Sequence, residues 1–210
     1  MANTRTPKPL RLITMNTPKG QEVQIVVEEL RLCYEVNVVH MVVDVRTGMQ
    51  KQPGFLRLNP NGKIPVLIDN NHDAINTIDR PFCVMESGAI CRQYLCSRFD
   101  TKRVFYFSDP CELSEMEQWV AWGLSTLNPA TDECIKSLRH SDQRDDSAVK
   151  YLRDEVILAY TDLENHLQSA SPLGTRLYLA GNGQGKFSIA DMIIWPWINV
   201  SHMCGLREMI

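Results

Sequence analysis

The segment Asn59-Pro60-Asn61-Gly62-Lys63-Ile64-Pro65-Val66-Leu67 constrains this chain more than any other, because its second proline has to open a strand rather than sit inside one. Proline lacks the N–H that a sheet ladder uses, so the Ile64 backbone stands at the strand entrance, where an extended peptide can pair with it. A cis bond is common only at X-Pro, and one here turns the Ile64 amide and carbonyl outward. A second segment, Met85-Glu86-Ser87-Gly88-Ala89-Ile90, opens a helix. Its first-turn N–H groups, the Ser87 hydroxyl and the helix dipole attract a carboxylate, and Glu86 can accept from an α-ammonium. A ligand with an α-amino acid at one end and an extended peptide beyond it satisfies both segments.

Upstream, Thr17-Pro18-Lys19-Gly20 places threonine as an N-cap before a proline at the first helical position. The structural reading of Thr17 is that cap. The chemical reading is that a hydroxyl and free helix amides, aimed at a thiol, stabilise its thiolate. One oxygen can do both, since it caps as acceptor and donates its own proton. Together the three segments suggest a site for the γ-glutamyl tripeptide thiol glutathione.

On these residues the chain resembles the two-domain glutathione transferases, in the fungal and bacterial nu-class-like branch that carries a Thr-Pro-Asn-Gly turn. The resemblance runs from about Leu10 to Leu206, with Phe187-Ser188-Ile189-Ala190-Asp191 as its third specific piece. It implies an α/β N-terminal thioredoxin-like domain over residues 1–98 and an all-α C-terminal domain over 110–210. It further implies glutathione as co-substrate, a homodimer formed through the interdomain edge, and an apolar electrophile held by the helical domain, in detoxification or fungal natural-product biosynthesis. Thr17 takes the activating role. Lys19 stands where the branch usually has asparagine, as a solvated lysine or as a point charge replacing the amide. Gln50 aligns with the residue that reaches the glycine carboxylate, with loop polarity as the alternative, and Lys63 can pair that carboxylate or simply flank the turn. Ile64 and Pro65 present the backbone, while Glu86 and Ser87 receive the γ-glutamyl end. Two alternatives stay open: glutathione-dependent disulfide or peroxide reduction, and a non-catalytic glutathione-binding regulator, as in the yeast nitrogen-catabolite member of the branch.

Composition fits this frame. In 210 residues, 44% are hydrophobic and 22% charged, with a net charge of −3, which is ordinary for globular domains. The half before Cys96 has 11 basic and 9 acidic side chains and the rest 11 and 16, so the first half suits a small anion and nothing points to nucleic acid. Seven scattered cysteines without a C-x-x-C pair read as reduced thiols in a cytoplasmic protein. No run of about eighteen apolar residues predicts a membrane span. His202 and Cys204 are too close together for a zinc site.

Strands are expected over Leu10–Met15, Val36–Val45, Val66–Ile68 and Phe82–Met85, and helices over Gly20–Leu32 and Glu86–Arg98. Asp69–Arg80 reads as a hairpin loop. Beyond Phe105 there are three helical patterns, Pro110–Leu127, Ala148–Leu167 and Ser188 to about His202. Ser188-Ile189-Ala190-Asp191 has capping-box spacing with aspartate in the acidic position, and Gly181–Gly185 reads as a flexible loop. Trp119 and Trp122 line a hydrophobic pocket or belong to the core. Relatives of this type continue past Ile210 with further helices, so an apolar patch is expected near Trp195 to Ile210.

Overall fold

A computed structural model describes residues 7–71, 81–139, 146–169 and 174–206, and the chain divides at Asp100 into two units. In the first, β1 (Leu10–Thr14) lies inside a four-stranded sheet of order β2-β1-β3-β4. β2 (Val38–Val42) runs parallel to β1, whereas β3 (Val66–Asp69) and β4 (Phe82–Met85) follow as antiparallel neighbours. A parallel pair needs a crossover, and α1 (Pro18–Tyr34) supplies it. Its fully buried stripe is Val23, Val26, Val27 and Leu30, at the spacing read from the sequence.

β2 is shorter than expected. Asp44 caps a 3-10 turn, Val45–Thr47, by accepting the Arg46 N–H at 3.0 Å, and this ends the extended run that the β-branched residues suggested. A second 3-10 turn, Met49–Lys51, and the one-turn helix α2 (Pro53–Leu56) then lead to β3. On one sheet face Ile13, Val66 and Ile68 pack with Phe55 of α2. By strand alternation Leu10, Leu12 and Leu67 point to the other face. All three are buried, as are the apolar stripes of α1 and of the helix after β4, α3 (residues 87–99), which pack on each other. α3 is π-helical over Ala89–Cys96 before an α-helical end, Ser97–Phe99.

Asp69 closes the far end of β3. Its side chain is 1% exposed and accepts Tyr94 Oη at 2.6 Å, an Arg98 guanidinium nitrogen at 3.0 Å and the Asn71 N–H at 2.7 Å. Most of the hairpin loop expected beyond it lies outside the described residues.

The second unit is helical, as expected, but has four helices among its described residues rather than three. α4 (Pro110–Trp122), capped by Asp109, passes through a π turn, Gly123–Leu127, directly into α5 (Asn128–Arg139). The helix expected over Pro110–Leu127 thus runs on past Pro129. The wide turn before it gives its ring room against the preceding carbonyls, so the helix continues. α6 (Asp146–Gln168) packs on α5, and α7 (Ile189–Asn199) packs on α4. The Ser188 capping box forms as read: Asp191 accepts the Ser188 N–H at 2.8 Å and also the Leu179 N–H at 3.0 Å. The Gly181–Gly185 segment is held rather than free. Glu115 accepts the Gly181 N–H at 2.9 Å, Glu112 the Asn182 N–H at 3.0 Å, and Arg176 donates to the Gly181 carbonyl at 3.0 Å. Trp119 stacks edge-on to Trp122 and against His166, both indoles half-buried. Trp195 stands 57% exposed beside a hollow of about 240 Å³ lined by Leu163, Leu167, Leu177 and Ile198. No helix among the described residues is long and apolar enough to cross a membrane.

Candidate functional site

The strand register brings the sequence-predicted segments to one end of the sheet. Ile13, near the end of β1, faces Val66 at the start of β3, and Val66 faces Met85 at the end of β4. Adjacent strands lie about 4.8 Å apart, so the residues just beyond these three share one edge. Those residues are Thr17 after β1, Ile64 and Pro65 before β3, and Glu86 and Ser87 after β4.

Thr17 is extended, at φ −129°, and its hydroxyl oxygen accepts the Gly20 N–H at 3.2 Å. The hydroxyl proton remains available. Gly20 is required by close approach: a Cβ there would lie 2.1 Å from the Met15 carbonyl oxygen and 2.6 Å from Thr14 Oγ1. This contact seats the first turn of α1 on the end of β1. Lys19, in the same turn, is exposed, and its ammonium has no partner among the described residues.

The turn before β3 is organised by Asn59, which is 1% exposed. Its amide donates to the Lys63 carbonyl at 2.8 Å, its side-chain oxygen accepts the Asn61 N–H at 3.0 Å, and its carbonyl accepts the Gly62 N–H at 2.9 Å. The Ile64–Pro65 bond is cis. The Ile64 N–H and C=O have no hydrogen-bond partner among the described residues, although the residue is half-buried. Lys63 is exposed beside it.

Glu86 has a left-handed backbone, φ 68°, which costs a non-glycine residue about 1–2 kcal/mol. Its carbonyl accepts the Ile90 N–H at 2.9 Å and so starts the helix, while its carboxylate is exposed. Ser87 is 6% exposed, and its hydroxyl and N–H, with the Gly88 N–H, lack partners among the described residues. The hydroxyl of a largely buried serine and two amides left open at a helix N-terminus form an anion seat.

Gln50 sits differently from the others. Its amide nitrogen donates to the Val45 carbonyl at 2.9 Å and its side-chain oxygen is buried without a partner, so one N–H remains for a ligand. Its backbone oxygen nevertheless lies against Gly62, 2.9 Å from where a Cβ would stand. Lys51, which the sequence reading passes over, donates from Nζ to the Asn61 carbonyl at 3.2 Å and brings a cation to the same turn. Its adjacency to Gln50 was the available signal. Among the described residues no cluster of His, Cys, Asp and Glu side chains can hold a metal ion.

Residues 18–97 match the family described as glutathione S-transferase, N-terminal domain. The disulfide-bond oxidoreductase YfcG of Escherichia coli is 30% identical over 183 residues, spanning 87% of this chain and 76% of that protein. Ure2p in complex with glutathione superposes with a TM-score of 0.83 at 26% identity, over 98% of this chain and 90% of the other. The glutathione transferase URE2P8 of Phanerochaete chrysosporium, solved with oxidised glutathione, gives 0.78 at 26% identity, over 95% and 82%. The chain spans about two thirds to four fifths of the length of its curated relatives. By this identity and coverage, the chain belongs to the glutathione transferase superfamily, in its Ure2p-like branch.

Proposed function

We propose that this protein binds glutathione at the Thr17 end of the sheet and activates it as a thiolate for attack on an apolar electrophile. The observation that carries the reading is the set of open polar groups there: the Ser87 hydroxyl, the Ser87 and Gly88 amides, and the Ile64 N–H and C=O. Related structures with glutathione bound support it. Ser87 and the helix amides take the γ-glutamyl carboxylate, Glu86 takes its ammonium, and Ile64 pairs with the peptide backbone as an added strand. Gln50 and Lys63 stand toward the glycine end. Thr17 caps α1 as acceptor and donates its free proton to the sulfur, and Lys19 and the helix N-terminus add positive potential. The thiol proton leaves to water, and the sulfur lone pair forms the new C–S bond as the leaving group departs. The protein acts as a cytoplasmic homodimer in detoxification or in the making of fungal natural products.

A second reading, glutathione-dependent disulfide reduction, is favoured by the oxidoreductase relative and by the oxidised glutathione in the URE2P8 structure. It uses the same thiolate with a sulfur electrophile. The test is glutathione-affinity capture followed by turnover against an aryl halide, a disulfide and a hydroperoxide. Turnover of the halide supports the transferase, and turnover of the disulfide alone supports the reductase. Binding without any turnover contradicts both and leaves a glutathione-binding regulator.

A further inference from the structure

Cys134 on α5 and Cys204 at the end of the 3-10 turn Ser201–Cys204 are both fully buried and share one apolar cluster with Ile135, Val156 and Leu206. Cys204 Sγ lies 3.8 Å from the Thr131 carbonyl oxygen. Thr131 and Cys134 are one helical turn apart on the same face of α5, which sets the Cys134 thiol on the side of the cluster that Cys204 occupies. Packing alone needs only apolar side chains here; two thiols meeting across separate elements form a dithiol. A cation flanks the pair. Arg153 Nε donates to the Cys204 carbonyl at 2.9 Å, and its guanidinium occupies the space against Gly205, where a Cβ would lie 1.9 Å from a guanidinium nitrogen.

We propose that Cys134 and Cys204 are an oxidation site that closes an intrachain disulfide when the protein meets a low-molecular-weight disulfide such as glutathione disulfide. While the turn is seated, burial pushes the Cys204 thiol up to about 12 and protects it. The turn is short and ends in a left-handed Gly205, so local opening uncovers Cys204 beside Arg153 without unfolding the helices. The Cys204 thiolate attacks one sulfur of the oxidised glutathione. That S–S bond breaks, a mixed disulfide forms at Cys204, and one glutathione thiolate leaves with the electron pair. Cys134 then gives its proton to water and attacks the Cys204 sulfur, expelling the second glutathione thiolate. Two protein thiols lose two electrons and two protons, and one glutathione disulfide becomes two glutathione molecules. The bond closes a loop of about 70 residues and fastens the end of the helical unit to α5.

The experiment incubates the full chain with glutathione disulfide at graded ratios to glutathione, then quenches by alkylation and maps thiols by peptide mass spectrometry. The expected result is a Cys134–Cys204 linked peptide, with both thiols lost together, both restored by dithiothreitol, and a melting midpoint raised by about 5–10 °C. A variant lacking the exposed Cys33 and Cys111, both changed to Ser, should give the same peptide; Cys204→Ala should leave Cys134 free. The proposal is overturned if Cys33 and Cys111 become glutathionylated while Cys134 and Cys204 are still alkylated as free thiols after denaturation. Pairing of either buried cysteine with a different one overturns it equally.

Discussion

Thr17 uses one oxygen for two purposes, and stability and turnover report them separately. Thr17→Val removes the acceptor for Gly20 N–H and the donor to sulfur together. Stability should fall by about 1 kcal/mol as a lost cap, and turnover by about one to two orders of magnitude, more than the lost cap explains. Lys19→Met touches no cap. If the ammonium acts on the sulfur, ultraviolet titration should show the bound thiol's apparent pKa raised while affinity above that pKa is unchanged; an identical midpoint returns Lys19 to the solvated surface. Thr17, Ile64, Glu86 and Ser87 were legible in the sequence as candidates because each obeys a local rule about caps, strand entrances or helix starts. Gln50 was not legible in the same way. One of its amide N–H groups is held by the Val45 carbonyl across a 3-10 turn that no periodicity announces.

At the scale of elements, the seat of α1 on β1 is a single glycine wide. Gly20→Ala must push the helix off the Met15 carbonyl, costing about 1–3 kcal/mol and displacing Thr17, so the denaturation midpoint and turnover should fall together. Asp69 ties β3 to α3. Burial pushes its carboxyl upward, but bonds from Tyr94, Asn71 and Arg98 outweigh that and hold it below the usual carboxylate range. A depressed folded pKa gives stability that is present above the unfolded value and lost as pH falls through the folded one. Urea denaturation should therefore show stability falling below about pH 4, and Asp69→Asn should be less stable near neutrality with a shallower acid slope. α5 shows where pattern reading stopped short. Thr131, Cys134, Ile135 and Leu138 have helical spacing, but the expected helix ended at Leu127, and the π turn Gly123–Leu127 carries the chain on through Pro129.

For the whole molecule, sequence order alone indicated a sheet-containing first half and a helical second half, because strand alternation stops near Phe105 and helical periodicity takes over. The strand order was not legible, since nothing local pairs β3 with β1. The register supplies it, and the register is what converts three separate motifs into one candidate site. That convergence is the central claim, and isothermal calorimetry with glutathione tests it most directly, comparing wild type with the Glu86→Gln, Ser87→Ala double variant. Loss of the charged acceptor and the buried hydroxyl should weaken binding by about 3 kcal/mol, roughly a hundredfold, with the fold intact by circular dichroism. Unchanged affinity in the double variant, or no binding by the wild type, would contradict the account.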